Sequence, residues 1–374
     1  MRTWIPICAL ALAAACRAQD CGAVVDAADP VYGARVRQLV NRDGHEHNLY
    51  YDRNPWNADN SYMLGVRSDL DQRNWRVVLY DGDGCYLKDL FPITRFDWRL
   101  TWDRRDPAVL YTWSGASLYR YHVETGEATL LKAFGAVGFK PNGPSLNQAG
   151  DRILMVTGDG AFHTYALERM GDERVFTPEF PAGCSVSWDK PRYTGYLNHI
   201  VAYCSSAVDV YEDTGRLVHR FEGVGGGGHH DFSPDGQWAY FTLWDGRRGK
   251  PCEIHVVNID GTNDRVLLSI PPEKMARVQN LHLGWPARVK DWFLASFFPP
   301  AAGDGAAYAP MLDEIVQVNL DGTSRMLARS LTRVTRDLFW AQPLARPSAD
   351  GSRASFNSNR SGTADQFILY IDPQ

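Results

Sequence analysis

An all-β chain built from a repeated four-stranded unit is what this sequence predicts, and three observations predict it. Aromatic residues make up 12% of the 374 positions, with twelve tryptophans and 33 glycines. Long stretches of helical period are missing, and short runs of Val, Tyr, Phe and Trp alternate with Gly, Asp and Asn turns. A strand, a short turn with glycine and a second strand then recur as WRVVLYDGDGCYLKDL, SLYRYHVETGEATLLKAF, FHTYALERMGDERVFT, SAVDVYEDTGRLVHRF, EIHVVNIDGTNDRVLLSI and EIVQVNLDGTSRMLARSL. One glycine from each (Gly82, Gly126, Gly171, Gly215, Gly261, Gly322) gives successive spacings of 44, 45, 44, 46 and 61 residues. Four short strands at a period of about 45 residues describe a β-propeller.

Taken in chain order, the first element is not structural. MRTWIPICALALAAACRAQDCG carries Arg2, an apolar run over residues 5–15 and small residues before Gln19. That is the pattern of a secretory signal peptide, too short in its apolar core to cross a bilayer. Cleavage is expected after Ala18, leaving residues 19–374 as one propeller domain outside the cytoplasm, secreted or periplasmic. The run LAAAC also resembles a lipoprotein box, in which Cys16 would be lipidated.

ARVRQLVN comes next, and residues 35–41 are assigned as a strand that waits for a partner at the far end of the chain. The repeated units follow. Each opens with an approach strand, a polar turn and a hydrophobic strand: NPWNADNSYMLGVRSD, TWDRRDPAVLYTWSG, LNQAGDRILMVTGDG, SWDKPRYTGYLNHIVAYCSS, FSPDGQWAYFTLWDG, WPARVKDWFLASFF and PSADGSRASFNSNRSG. Seven openings against six closing hairpins leave the unit ending in FILYIDPQ one outer strand short, and the N-terminal strand supplies it. The expected fold is therefore a seven-bladed β-propeller closed by its own termini, which removes the open sheet edge. The longer last spacing reflects FFPPAAGDGAAYAPMLD, whose residues 299–313 read as a loop inserted in one unit.

Charge and motifs exclude several functions. A net charge of −5 argues against a nucleic-acid partner, which calls for a basic face. Beyond the leader no apolar run approaches the roughly 18 residues of a membrane helix, so no membrane span is expected. Five cysteines lie past residue 18 (Cys21, Cys85, Cys184, Cys204, Cys252) without C-x-x-C spacing, which disfavours zinc and favours disulfides in an oxidising compartment. Cys184 and Cys204 fall in neighbouring antiparallel strands and are the expected pair. The sequence lacks a G-x-S-x-G elbow, an H-E-x-x-H pair and an EF-hand loop.

Two resemblances add to this reading. SPDG and SADGSRASFNSNRSG resemble the blade openings of bacterial periplasmic propellers of the Tol-system, WD40-like type, over nearly the whole mature chain. LHLGWP, residues 281–286, resembles the segment of the oligogalacturonate lyases that carries a metal-binding histidine, which implies that role for His282. Those lyases are secreted seven-bladed propellers that bind a divalent cation near the axis through histidines and a glutamine. WAQPLARPSADG, residues 340–351, sits where that family has Gln-x-His-x-His; Gln342 is retained, while Leu344 and Arg346 stand at the histidine positions. The resemblance implies an acidic oligosaccharide or polysaccharide as partner, a divalent cation as cofactor and β-elimination as the reaction.

The stretch GGGGHHDFSPDG, residues 225–236, does not match a phosphate loop, because no helix-forming run follows it. Aligning its SPDG with the other openings puts His230 level with His282, with Arg99 of WRLTW and with Arg53 of YYDRNPW, all on innermost strands that line the axial channel. His230 or His282 is then the expected base, Tyr50 the acid, and Arg53, Arg99 and Arg346 a carboxylate clamp beside Gln342. Each has a plainer alternative. The glycines serve equally as an interblade loop, the histidines as hydrogen-bonding wedges, and the arginines as partners of Asp or Glu between blades. One of Tyr50 and Tyr51 must face the core, and Trp56, Trp102, Trp188 and Trp285 recur at matching places, as blade packing requires. A non-catalytic propeller that binds a protein or a glycan is the rival function, and the fold alone does not choose.

Overall fold

Every blade follows from the alternation of apolar and polar residues in runs too short for anything but strands. The computed structural model describes residues 25–39, 44–94, 100–140, 143–188, 190–224, 229–275, 278, 280–298, 311, 313–333 and 339–372. The leader with Cys16, the run of four glycines at 225–228, Arg99 and most of the inserted loop lie outside them. Seven antiparallel sheets follow one another along the chain, and the only helices among the described residues are single turns such as Leu243–Arg247 and Pro272–Met275. The first blade runs outward from His45–His47 through Tyr62–Ser68 and Arg76–Asp81 to Tyr86–Pro92. The fourth does the same through Arg192–Tyr193, His199–Cys204, Ala207–Glu212 and Leu217–Glu222.

Ring closure is as the sequence predicts. Arg35–Gln38 pairs with Asp365–Tyr370 in the register Val36 to Leu369, Arg37 to Ile368 and Gln38 to Phe367, and so becomes the outer strand of the seventh blade. A further strand, Val25–Ala28, was not expected. It pairs outside Arg35–Gln38, and Asp26 there accepts from Arg35 and Arg37. The Arg37 hydrogen bond, more than any other cause, holds the Asp26 carboxyl down at about 2.

Packing is one core per junction. Seven separate clusters of buried apolar side chains fill the seven interfaces between consecutive blades, from Leu64, Val66 and Leu110 between the first and second to Leu39, Val78 and Ile368 between the seventh and first. Two of the repeated hairpin glycines, Gly215 and Gly261, serve those interfaces closely as well as the turns. Gly261 has φ 84°, and a Cβ there would lie 2.4 Å from the His219 ring of the preceding blade. The opening turns also repeat their chemistry: Ser233 donates to Asp235 at 2.5 Å and Ser348 to Asp350 at 2.7 Å. Cys184 and Cys204 form the expected disulfide, Cys85 is also disulfide-bonded, and Cys252 is a buried free thiol.

Two tests follow from closure and from one buried acid at the seam. Deleting residues up to Asn41 removes the closing strand, and thermal melting of the truncated protein should lose its single cooperative transition; melting like that of the full chain would refute the closure. Glu46, 5% exposed, lies at this seam with Arg67, Asp365 and Tyr80 about it. Burial dominates and pushes its carboxyl up from 4.5 to about 8. A raised acid contributes stability that is fully present below about pH 4.5 and is lost as pH rises through about 8. The melting temperature of Glu46→Gln should therefore gain on the wild type across that window, and a difference independent of pH would contradict the assignment.

Candidate functional site

Innermost strands are short because seven of them crowd around one axis; Arg192–Tyr193, Asp231–Phe232 and Arg346–Pro347 have two residues each. Side chains at their starting ends converge on one mouth of the channel. There Lys190 precedes Arg192, His229 precedes Asp231, Asn280 begins the strand Asn280–Gly284, and Gln342 precedes Arg346. Tyr50 joins them from the turn after His45–His47.

That turn is held under strain. Tyr50 has φ 88°, a conformation that costs a bulky residue about 1–3 kcal/mol and persists only where its surroundings impose it. Asn48, fully buried, imposes it: its Oδ1 accepts from the Tyr50 N–H at 3.1 Å and its Nδ2 donates to the Leu344 carbonyl at 2.8 Å. The Tyr50 ring then stacks on Phe339, which is half exposed, and lies 4.9 Å from the Lys190 Nζ.

The histidine at the mouth is His229, and the hydrogen bonds around it fix its tautomer. Asn280 Oδ1 accepts from the Leu281 N–H at 3.0 Å while Asn280 Nδ2 donates to Gln342 Oε1 at 3.2 Å, so the amide orientation is set. The same Oδ1 lies 2.9 Å from His229 Nδ1, which must therefore be the donor. His229 Nε2 is left as an acceptor, 3.4 Å from the Tyr50 hydroxyl. Beneath it the His282 ring lies 4.3 Å away, fully buried, with neither nitrogen hydrogen-bonded among the described residues. Burial first, then His282 and Lys190, hold His229 well below the ordinary histidine value. Burial first and Lys190 next do the same to His282. Both imidazoles are neutral at pH 7.

The residues expected from sequence divide into three groups. Tyr50, His282 and Gln342 come together here, although Gln342 acts on His229 through Asn280. His230 does not join them. Its ring is wedged between blades against Trp238 and Phe241, and burial, with Arg192 and Lys190, pushes it down to about 3. Adjacent residues of an extended chain face opposite sides, so His229 takes the channel and His230 the core. Arg53 and Arg346 sit lower, around a second compartment. Arg53 donates to the Pro144 carbonyl at 2.8 Å, and Arg346 is ion-paired to Asp231 instead of being poised as a clamp. Lys190, Asn280 and Phe339 were not singled out from sequence, and His229 was weighed there only together with His230 as a structural or functional histidine.

The metal reading fails a direct test of the donors. Gln342 Oε1 is taken by Asn280, Leu344 is fully buried in an apolar cluster, and Arg346 brings a positive charge. Among the described residues no three His, Cys, Asp or Glu side chains gather into a possible metal site, and Lys190 places a further positive charge near both histidines. The residues present do not fit the divalent cation that the resemblance implies.

No family model and no curated protein matches the chain. Solved structures do. An oligogalacturonate lyase in complex with manganese aligns with TM-score 0.69 at 16% identity, covering 93% of this chain and 96% of that one. An oligogalacturonate lyase from Vibrio parahaemolyticus aligns with TM-score 0.68 at 11% identity, covering 93% and 97%. A β-propeller domain from Myceliophteria thermophila aligns with TM-score 0.55 at 12% identity, covering 90% and 99%. At these identities the likeness is one of fold.

Because Asn48 holds both the strained turn and the Leu344 carbonyl, Asn48→Ala should lower the urea midpoint by the equivalent of about 1–3 kcal/mol, the cost of orphaning buried polar groups. An unchanged midpoint would show that the turn is held by something else.

Proposed function

We propose that this mouth of the channel binds an acidic oligosaccharide, and that the binding serves β-elimination at a uronate unit. The observation that carries the reading is the fixed tautomer of His229, with its unprotonated Nε2 facing the Tyr50 hydroxyl at 3.4 Å. In the reaction, His229 Nε2 takes the proton on the carbon beside the uronate carboxylate. Tyr50 gives a proton to the departing glycosidic oxygen, the carbon–oxygen bond breaks and a carbon–carbon double bond forms. Lys190 supplies positive charge near the developing enolate, in a site with no fit for a metal. His282, wholly buried, positions His229 by packing its tilted ring beneath it and does not touch substrate. Phe339 and Tyr50, stacked at the rim, suit the apolar face of a sugar ring.

Support from the comparisons is the fold shared with two oligogalacturonate lyases. Export is part of the proposal, and the disulfides suit an oxidising compartment. The rival, a non-catalytic scaffold for a protein partner, shares the fold but gives no reason for a strained tyrosine beside a neutral histidine.

The test is incubation with uronate polymers and oligomers while following absorbance of the unsaturated product, with and without chelator. Product should form in chelator. His229→Ala and Tyr50→Phe should each lower kcat by a factor of about 10²–10⁴, and His230→Gln should not. Because burial lowers His229 below its usual 6.5, the rate should stay level as pH falls past that value. Absence of product together with absence of glycan retention on an affinity gel would favour the scaffold.

A further inference from the structure

The axial channel has a second compartment of about 310 Å³, toward the finishing ends of the innermost strands, where Arg104, Thr194, Pro234, Arg288 and Ala349 follow them. Arg192 forms the partition from the histidine mouth: it donates to the carbonyls of His230 at 2.8 Å and Lys190 at 3.2 Å, and lies 3.9 Å from Asp52 and 3.8 Å from Asp231.

The charges of this compartment do not cancel. Five arginines line it, Arg53, Arg104, Arg192, Arg288 and Arg346, against three aspartates. Asp231 is taken by Arg346, Arg192 and the Trp285 N–H at 2.6 Å. Asp103 is spent in its own turn, on the N–H groups of Arg105 and Asp106 and on the Tyr111 hydroxyl at 2.6 Å. Asp52 faces Arg192. Arg104 is left with one long contact, 3.5 Å to the Leu146 carbonyl, and no carboxylate among the described residues. Its stem is nonetheless fixed in place against the turn of the next blade, where Gly150 at φ 67° leaves room: a Cβ there would lie 2.7 Å from the Arg104 Cβ. Arg104 stands at the solvent-facing side of the compartment, in the same lining as Arg346.

Two guanidinium groups lining one cleft, with the aspartates of that lining already engaged, are stabilised by an anion that accepts from both. We propose that this compartment is a second ligand site, separate from the His229 mouth, that takes a small carboxylate through Arg104 and Arg346. Planar guanidinium matches a carboxylate in a two-bond fork. The volume, at the lower end of ordinary ligand pockets, suits a molecule of one sugar-acid unit.

The experiment uses the full chain, titrated with D-galacturonate and separately with inorganic phosphate by calorimetry, at low and moderate salt. Galacturonate should bind the wild type and His229→Ala alike at this site, and Arg104→Gln should weaken that binding about tenfold or more, as loss of a charge-assisted bond requires. Arg104 has no carboxylate partner to orphan, so the variant should melt with the wild type, and melting is the control for folding. Galacturonate binding unchanged in Arg104→Gln, binding abolished in His229→Ala, or no binding at all overturns the proposal. Phosphate that binds through Arg104 more tightly than galacturonate overturns the carboxylate assignment.

Discussion

Pairing of Arg35–Gln38 with Asp365–Tyr370 is the contact on which the rest of the molecule depends. Blades touch only their neighbours, so an open array would leave one apolar face and one strand edge exposed to water. Closure buries both, placing Leu39 against Ile368 and Val78 in the seventh of seven equivalent cores. It also fixes the radius of the ring, and with it the spacing of side chains across the axis. Residues as distant in sequence as Asn48 and Leu344, or Asp231 and Arg346, meet only because the chain's ends have met first.

Much of this was legible in the sequence because turns are local. Hairpin glycines recur at intervals of mostly 44–46 residues, four of the six (Gly126, Gly215, Gly261 and Gly322) at positive φ, and the Ser-x-Asp-Gly openings make the same short hydrogen bonds in space that they imply on paper. An unpaired outer strand at the C-terminal end demands a partner, and only one candidate stood at the other end. The additional strand Val25–Ala28 escaped because it answers no deficit in the repeat; its hold is the ion pairing of Asp26 with Arg35 and Arg37.

The site was legible only to within one residue. In a strand the side-chain period is two, so a choice between His229 and His230 is a choice of face, and alignment by turns does not carry that precision across an irregular entry. Arg346 shows a second limit. The residue type said that it could bind a carboxylate; whether the carboxylate belongs to a ligand or to Asp231 depends on which blade stands opposite, and only the closed ring decides that. Lys190 and Asn280 gave no signal because each gains its meaning from a neighbour more than fifty residues away, a distance no local pattern spans.

The two arginine-for-histidine and leucine-for-histidine differences from the lyase pattern are connected physically. A cation near the axis would have to share the channel with Arg346 and with Arg192 and Lys190, the last two of which already oppose protonation of the histidines beside them. In this channel burial and nearby positive charge keep the imidazoles neutral without coordination, and Asn280 rather than a metal decides which nitrogen carries the proton. The positive charge that a metal ion concentrates at one point is here spread over fixed side chains along the axis. Lys190 stands above the Arg192 partition and Arg104, with no carboxylate partner among the described residues, below it, so fixed positive charge lies on both sides of the partition.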